Sequence, residues 1–247
     1  MSSLILQSNT PHPESFETRS LKTYAITHDI PFVIAKFEDL HHHAIRQQLL
    51  SGNVPVGSVE FIQRCFEIKG LTVKAINPYP PGLPYGRLIF KRPLYEILGH
   101  HIPEQGLFIK PFKLKRFNGF VFRGFNYQHY DEHDKEQISN LLDMRLNDWV
   151  YTSEVVNFLA EWRMYYCNGE LLGTARYDAN DEEYDDPVIT IPIKGTRAID
   201  VGLLDNGSYV VVEVNDAWAI GLYKGLPIEK YYQFLITRWR EICANLN

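Results

Sequence analysis

Apolar and polar positions alternate most regularly between Ala198 and Asp216, where two β-branched runs flank Asp205-Asn206-Gly207-Ser208. Asn-Gly between apolar strands predicts an antiparallel hairpin. Taking Asn206-Gly207 as a two-residue turn sets Asp205 against Ser208 and, counting outward, Asp200 against Glu213. A second Asn-Gly, Asn168-Gly169, lies between Glu161–Tyr166 and Leu171–Tyr177 and predicts a second hairpin. Its count places Cys167 opposite Glu170 and Glu161 opposite Arg176, with Arg163 on the Glu161 face by the period of two.

Helical spacing replaces alternation in three segments. Ser58 caps a run with apolar residues at Val59, Ile62, Phe66 and Ile68, which Gly70 ends. Ile138, Leu141, Leu142 and Leu146 mark a second helix. Ile228, Tyr231, Tyr232, Leu235, Trp239 and Ile242, following Pro227, mark an amphipathic helix that covers a sheet. Short strands are predicted at 31–37, 87–90, 106–111, 120–122 and 150–156, with a helical turn at Leu94–Leu98. Residues 1–20 have little periodicity and read as an arm or an irregular first strand, and 128–135 reads as a loop. Four prolines and two glycines interrupt Asn77–Gly86. That punctuation predicts a domain boundary, giving residues 1–86 and 87–247.

Composition narrows the class. With 45% hydrophobic residues the chain can bury a full core. A net charge of −5 supplies no overall positive field for nucleic acid or anionic lipid. Cys65, Cys167 and Cys243 are odd in number and widely spaced, which suggests neither a disulfide framework nor a zinc site and fits a cytoplasmic protein. No apolar stretch reaches membrane-spanning length.

Candidate chemistry concentrates in the two hairpins. Like charges facing each other across a ladder repel, so Asp200 and Glu213 call for something positive between them. Asn215 shares their face and adds a neutral oxygen, and the resulting oxygen set is of the kind magnesium takes. An exposed acidic pair on a meander is the alternative. Arg163, Arg176 and Glu161 form on this count one patch, either a salt-bridge cluster or an oxyanion site. Lys110 ends a strand, and Lys113, Lys115, Arg116 and Gly119 follow in a basic loop where a phosphate chain could lie, or which is simply solvated. Gly57-Ser58 at a helix start either holds an anion or only caps. His41-His42-His43 point in different directions and read as a solvated run.

The order of strand-lysine, basic glycine loop, hinge strand, Glu-Trp-Arg hairpin and Asp…Glu-Val-Asn hairpin resembles the ATP-grasp superfamily. The likeness is carried by FIKP with KRFNG, SEVV, EWRMYYCNGELLGTARY and DVGLLDNGSYVVVEVNDAWAIGLY, and VPVGSVEF is similar to short ATP-grasp proteins of bacteria and phages. The resemblance implies an α+β ATP-grasp fold, with two α+β subdomains gripping nucleotide behind a short N-terminal α/β, pre-ATP-grasp domain. It implies ATP phosphates held by Lys110 and Lys115, adenine held by Glu154 and Val155, and Mg2+ held by Asp200, Glu213 and Asn215. Arg163 and Arg176 then stand near the γ-phosphate and the acyl substrate. The implied reaction joins a small-molecule or peptide carboxylate to an amine through an acyl phosphate; a nucleotide-binding protein without turnover is the alternative. The chain departs from the family in its short glycine flap, Asn118-Gly119, and in its short N-terminal part.

Overall fold

The computed structural model describes residues 3–8, 14–113 and 116–244. It divides into two compact units, one of Met1–Leu83, Leu159–Leu203 and Gly207–Asn247, the other of Pro84–Phe158 and Leu204–Asn206.

The first unit opens with a parallel three-stranded sheet in which β1 (Leu4–Gln7) lies between β2 (Phe32–Ala35) and β3 (Val54–Val56). Residues 1–20, expected to be an arm, instead supply this central strand and the start of α1 (Phe16–Thr27), capped by Ser15. Leu4, Ile5 and Leu6 are all buried, as strands covered on both faces are, so the run has no alternation to reveal it. Helices α2 (His43–Leu50) and α3 (Val59–Lys69) follow, the latter with Ser58 as N-cap and Gly70 in the left-handed conformation at its end.

After the second unit's segment the chain forms an antiparallel four-stranded sheet from β8 (Phe158–Cys167), β9 (Glu170–Arg176), β10 (Arg197–Leu204) and β11 (Tyr209–Asp216). Its strand order is β11-β10-β8-β9. The last helix, α6 (Ile228–Ala244), joins both sheets into one core. Phe234 meets Tyr165 of β8 edge-on at 5.3 Å, and Trp239 stacks on Phe66 of α3 at 5.7 Å. The predicted aromatic stripe is thus the seam of the unit.

The second unit is a four-stranded sheet ordered β4-β7-β5-β6, from β4 (Ile89–Pro93), β5 (Leu107–Pro111), β6 (Phe120–Phe122) and β7 (Trp149–Ser153). Helices α4 (Leu94–Leu98) and α5 (Glu132–Leu142) cover one face, where Leu94, Ile97, Ile138 and Leu141 pack on Ile109, Phe120, Phe122 and Val150. Helix α5 begins inside the polar segment expected to be a loop, because Asp131 caps it by accepting from the Asp134 amide at 2.8 Å.

Cys65 is fully buried and its thiol is pushed up to about 12 by that burial, which leaves it unreactive. Among the described residues no helix is long and apolar enough to cross a membrane. Phe234 is wholly buried at the seam, so Phe234→Ala is expected to cost about 3–5 kcal/mol. Urea unfolding measures it, and a loss near zero would show that α6 is not what closes the core.

Candidate functional site

Strand β10 carries Asp200 to 3% exposure. A carboxylate buried that far needs a partner, because desolvation otherwise favours its neutral form. Arg163 of the adjacent strand β8 supplies one, donating from Nε to Oδ1 at 2.7 Å and from Nη2 to Oδ2 at 2.8 Å. Burial works against the guanidinium charge, yet the Asp200 carboxylate more than offsets this and raises the Arg163 pKa. The pair therefore stays ionised.

Asp200 stands directly opposite Glu213, as the hairpin count predicts. The route to that pairing is different. Asn168 and Gly169 both have positive φ, 51° and 87°, but in the second turn Gly207 does at 81° and Asn206 does not. A single left-handed glycine marks a three-residue connection, and the pairing runs Leu203 with Tyr209 and Val201 with Val211. A bulge then passes over Val212 and restores Asp200 to Glu213. Asn215, two residues on, donates from Nδ2 to Asp200 Oδ2 and to Glu213 Oε1, each at 3.1 Å.

Two carboxylates and an amide therefore converge. Among the described residues no three His, Cys, Asp or Glu side chains form a metal-holding group, so a cation here would take further oxygens from a ligand or water. The donor chemistry nevertheless fits a hard divalent ion. A carboxylate offers about four lone-pair sites, of which Arg163 and Asn215 take three at Asp200. Half a turn of the Asn215 amide replaces its donors with an oxygen.

Tyrosines wall this set. Tyr177 and Tyr223 stack at 4.9 Å, and the Arg163 guanidinium lies 4.9 Å from the Tyr223 ring centre and 5.8 Å from that of Tyr177. Tyr177 donates its hydroxyl proton to Glu161 Oε1 at 3.1 Å. Burial first, then the Asp200 and Glu161 charges, raise the Tyr177 pKa far above its ordinary value and keep that proton in place. Tyr223 lies beyond the last strand, where no period marks it, and sequence reasoning missed it.

The expected meeting of Arg163 and Arg176 does not occur. Tyr166 pairs with Leu171 but Tyr165 with Gly173, so a bulge at Leu172 moves Arg176 from Glu161 to Trp162. Arg163 now pairs with Ala175, and one residue of offset turns the two arginines to opposite faces. Arg176 forks onto Asp178 at 2.8 Å through Nε and Nη2, and donates to the carbonyls of Glu182 at 2.5 Å and Asn180 at 2.8 Å. It ties the acidic segment 178–182 to the sheet. These hydrogen bonds from Arg176 hold the Asp178 carboxyl well below the usual carboxylate range.

In the second unit Lys110 is half-buried and pairs with Tyr151, which on its other side pairs with Lys91 of β4. All three lie in one row on the face away from α4 and α5, since Ile109 and Val150 in the alternate positions enter that core. Lys91 Nζ sits 3.4 Å from the Phe112 ring centre. This lysine escaped the sequence reading because only the β4–β7 register reveals it. Lys115 lies outside the described residues. Glu154, exposed just past β7, accepts from the Leu88 amide at 2.9 Å, and Val155 follows it half-buried. At the other candidate anion site the Ser58 amide donates to Gln7 Oε1 at 2.6 Å and Ser58 Oγ accepts from Phe61, so this helix start is capped from within.

Residues 85–234 match a family described as an ATP-grasp domain, family 2 of its clade. No curated protein matches the chain in sequence. In fold it is similar to N5-carboxyaminoimidazole synthase from Aspergillus clavatus, solved with ADP and 5-aminoimidazole ribonucleotide, at 12% identity and a TM-score of 0.51 over 97% of this chain and 77% of that one. It is also similar to D-cycloserine synthetase DcsG, at 13% identity and a TM-score of 0.50 over 99% of both chains.

The depressed Asp178 pKa has a definite sign. Its contribution to stability is present above about pH 4, the unfolded value, and is lost as pH falls through the lower folded value. Asp178→Asn is therefore expected to be less stable than the parent at pH 7 and to converge with it near the acid end. Urea unfolding at both pH values checks this, and an equal gap at both would mean that the ion pair is not its source.

Proposed function

The chain belongs to this family of ATP-grasp domains, and from that premise we propose that it is an ATP- and Mg2+-dependent carboxylate–amine ligase. One observation carries the reading: Asp200 and Glu213 face each other with Asn215 bridging them, and Arg163 lies on the same face. In this proposal residues 87–247 are the ATP-grasp domain and 1–86 its pre-ATP-grasp part. Lys110, with Lys115, holds the phosphates; Glu154 and the Val155 backbone hold the adenine; and Asp200, Glu213 and Asn215 hold Mg2+.

Phosphoryl transfer needs its charge neutralised and its partners aligned more than it needs a strong base. Bound there, Mg2+ would neutralise phosphate charge. Arg163 meets the same need with a fixed guanidinium whose Nη1 is not spent on Asp200. The substrate carboxylate oxygen attacks the γ-phosphorus of ATP and ADP leaves. An amine then attacks the acyl carbon, phosphate leaves, and the amine proton passes to solvent or phosphate. Arg176 contributes by ordering segment 178–182 through its fork onto Asp178. No activated serine or cysteine is required.

The second reading, a nucleotide-binding protein without turnover, is favoured by how fully Asp200 and Arg176 are engaged within the chain. The two readings part on products. A ligase releases ADP and phosphate when supplied with ATP, Mg2+ and a fitting carboxylate and amine, so a survey of amino acids and short peptides for ADP release decides between them. Nucleotide release that never depends on an added carboxylate would sink the ligase.

ATP with Mg2+ is expected to stabilise the fold by about 2.7 kcal/mol at a hundredfold excess over Kd, read as a rise in Tm. Glu213→Gln should remove most of that rise, and a full shift in the variant would contradict the metal set. Arg176→Ala should keep the shift but lose turnover. Undiminished product formation would make this arginine purely structural.

A further inference from the structure

Strand β11 reaches the metal set by an unstable route. Its pairing with β10 steps at Val212, one residue before Glu213, so the sheet by itself leaves two registers open beyond that point. A slip of one residue would turn Glu213 and Asn215 to the opposite face. Some contact beyond the bulge must choose.

Arg238 of α6 makes that contact. It forks onto Asp216, the residue next to Asn215, from Nε to Oδ1 at 2.5 Å and from Nη2 to Oδ2 at 2.7 Å. Its remaining arm, Nη1, donates to Glu241 Oε2 at 3.0 Å, and Glu241 Oε1 accepts from the Thr196 hydroxyl at 2.6 Å. Thr196 is fully buried beside the first residue of β10. One chain of contacts therefore runs from the end of β11 through the helix to the start of β10. Arg238 and Asp216 are each only 9% exposed at the side chain.

Burying such a network gains little over apolar packing, and its best-attested use is to specify register. Elsewhere α6 docks with Tyr231, Phe234 and Leu235, which shows that apolar residues close this seam where no strand end has to be placed. The outer edge of β11 is held as well, since the Val214 amide donates to the Pro78 carbonyl at 2.9 Å. That bond fixes position along the edge but does not tie β11 to β10.

We propose that Arg238, oriented by Glu241, is a positioning residue that fixes the register of β11 past its bulge and so aims Glu213 and Asn215 at the cation. The proposal rests on the metal reading given above. Supporting contacts behind metal ligands are worth about tenfold to a hundredfold in metal affinity, and a clamp acting through one peptide unit belongs at the lower end.

The test is the gain in ADP affinity on replacing EDTA by Mg2+, measured calorimetrically. Glu241→Gln keeps the shape and Arg238→Lys keeps the charge without the fork. Both are expected to reduce that gain about tenfold while leaving ADP affinity in EDTA unchanged. Trp239→Phe, which weakens the same seam without touching the clamp, should keep the gain in full. An undiminished gain in both clamp variants overturns the proposal, whatever their Tm, as does an equal loss in EDTA or a loss in Trp239→Phe. A parent protein with no gain at all would instead strike the metal set, and the clamp would fall with it.

Discussion

A carboxylate held inside an apolar sheet is the constraint on which this architecture turns. Asp200 is nearly inaccessible, and alone it would be driven neutral. It is held charged by a guanidinium fork from the neighbouring strand and by an amide two residues beyond its cross-strand partner. Three strands, β8, β10 and β11, must therefore keep mutual register to within a residue. Any slip leaves a buried charge without its counterpart, which costs far more than a lost surface pair.

Register in turn is set by irregularities. Both hairpins contain a bulge, at Leu172 and at Val212, and the two have opposite consequences. In the hairpin of β10 and β11 the longer turn and the bulge cancel, so Asp200 and Glu213 meet after all. In the hairpin of β8 and β9 the turn is the simple two-residue type, nothing cancels the bulge, and Arg176 leaves the face that Arg163 occupies. The first face gathers Arg163, Asp200, Asn215, Glu213 and the stacked Tyr177 and Tyr223, while the other gathers Trp162, Arg176 and the acidic segment.

The second unit separates its faces more simply. Its sheet puts Ile109, Val150, Phe120 and Phe122 into a core with α4 and α5, and the alternate residues Lys110, Tyr151 and Lys91 form a row on the other side. A row of two lysines with a tyrosine between them is suited to an anion with an attached ring, which agrees with the nucleotide role proposed for Lys110. Neither lysine is left to solvent alone, since Lys91 lies over Phe112 and Lys110 keeps contacts within the protein.

Local chemistry in the chain was enough to determine the elements whose signals are local. Ser58 and Gly70 bound α3 as capping predicts, Pro227 opens the turn that leads into α6, and both Asn-Gly pairs are hairpin turns. The family resemblance and the facing of Asp200 with Glu213 were legible for the same reason. Tertiary structure decided what depends on counting past an irregularity or on burial from both sides. A bulge leaves no mark in apolar alternation, so the faces of Arg163 and Arg176 could not be read in advance. Leu4–Gln7, buried on both faces, had no period to show, and the partners of Asp200 and Asp216 come from residues 37 and 22 positions away, which only packing brings within hydrogen-bond reach.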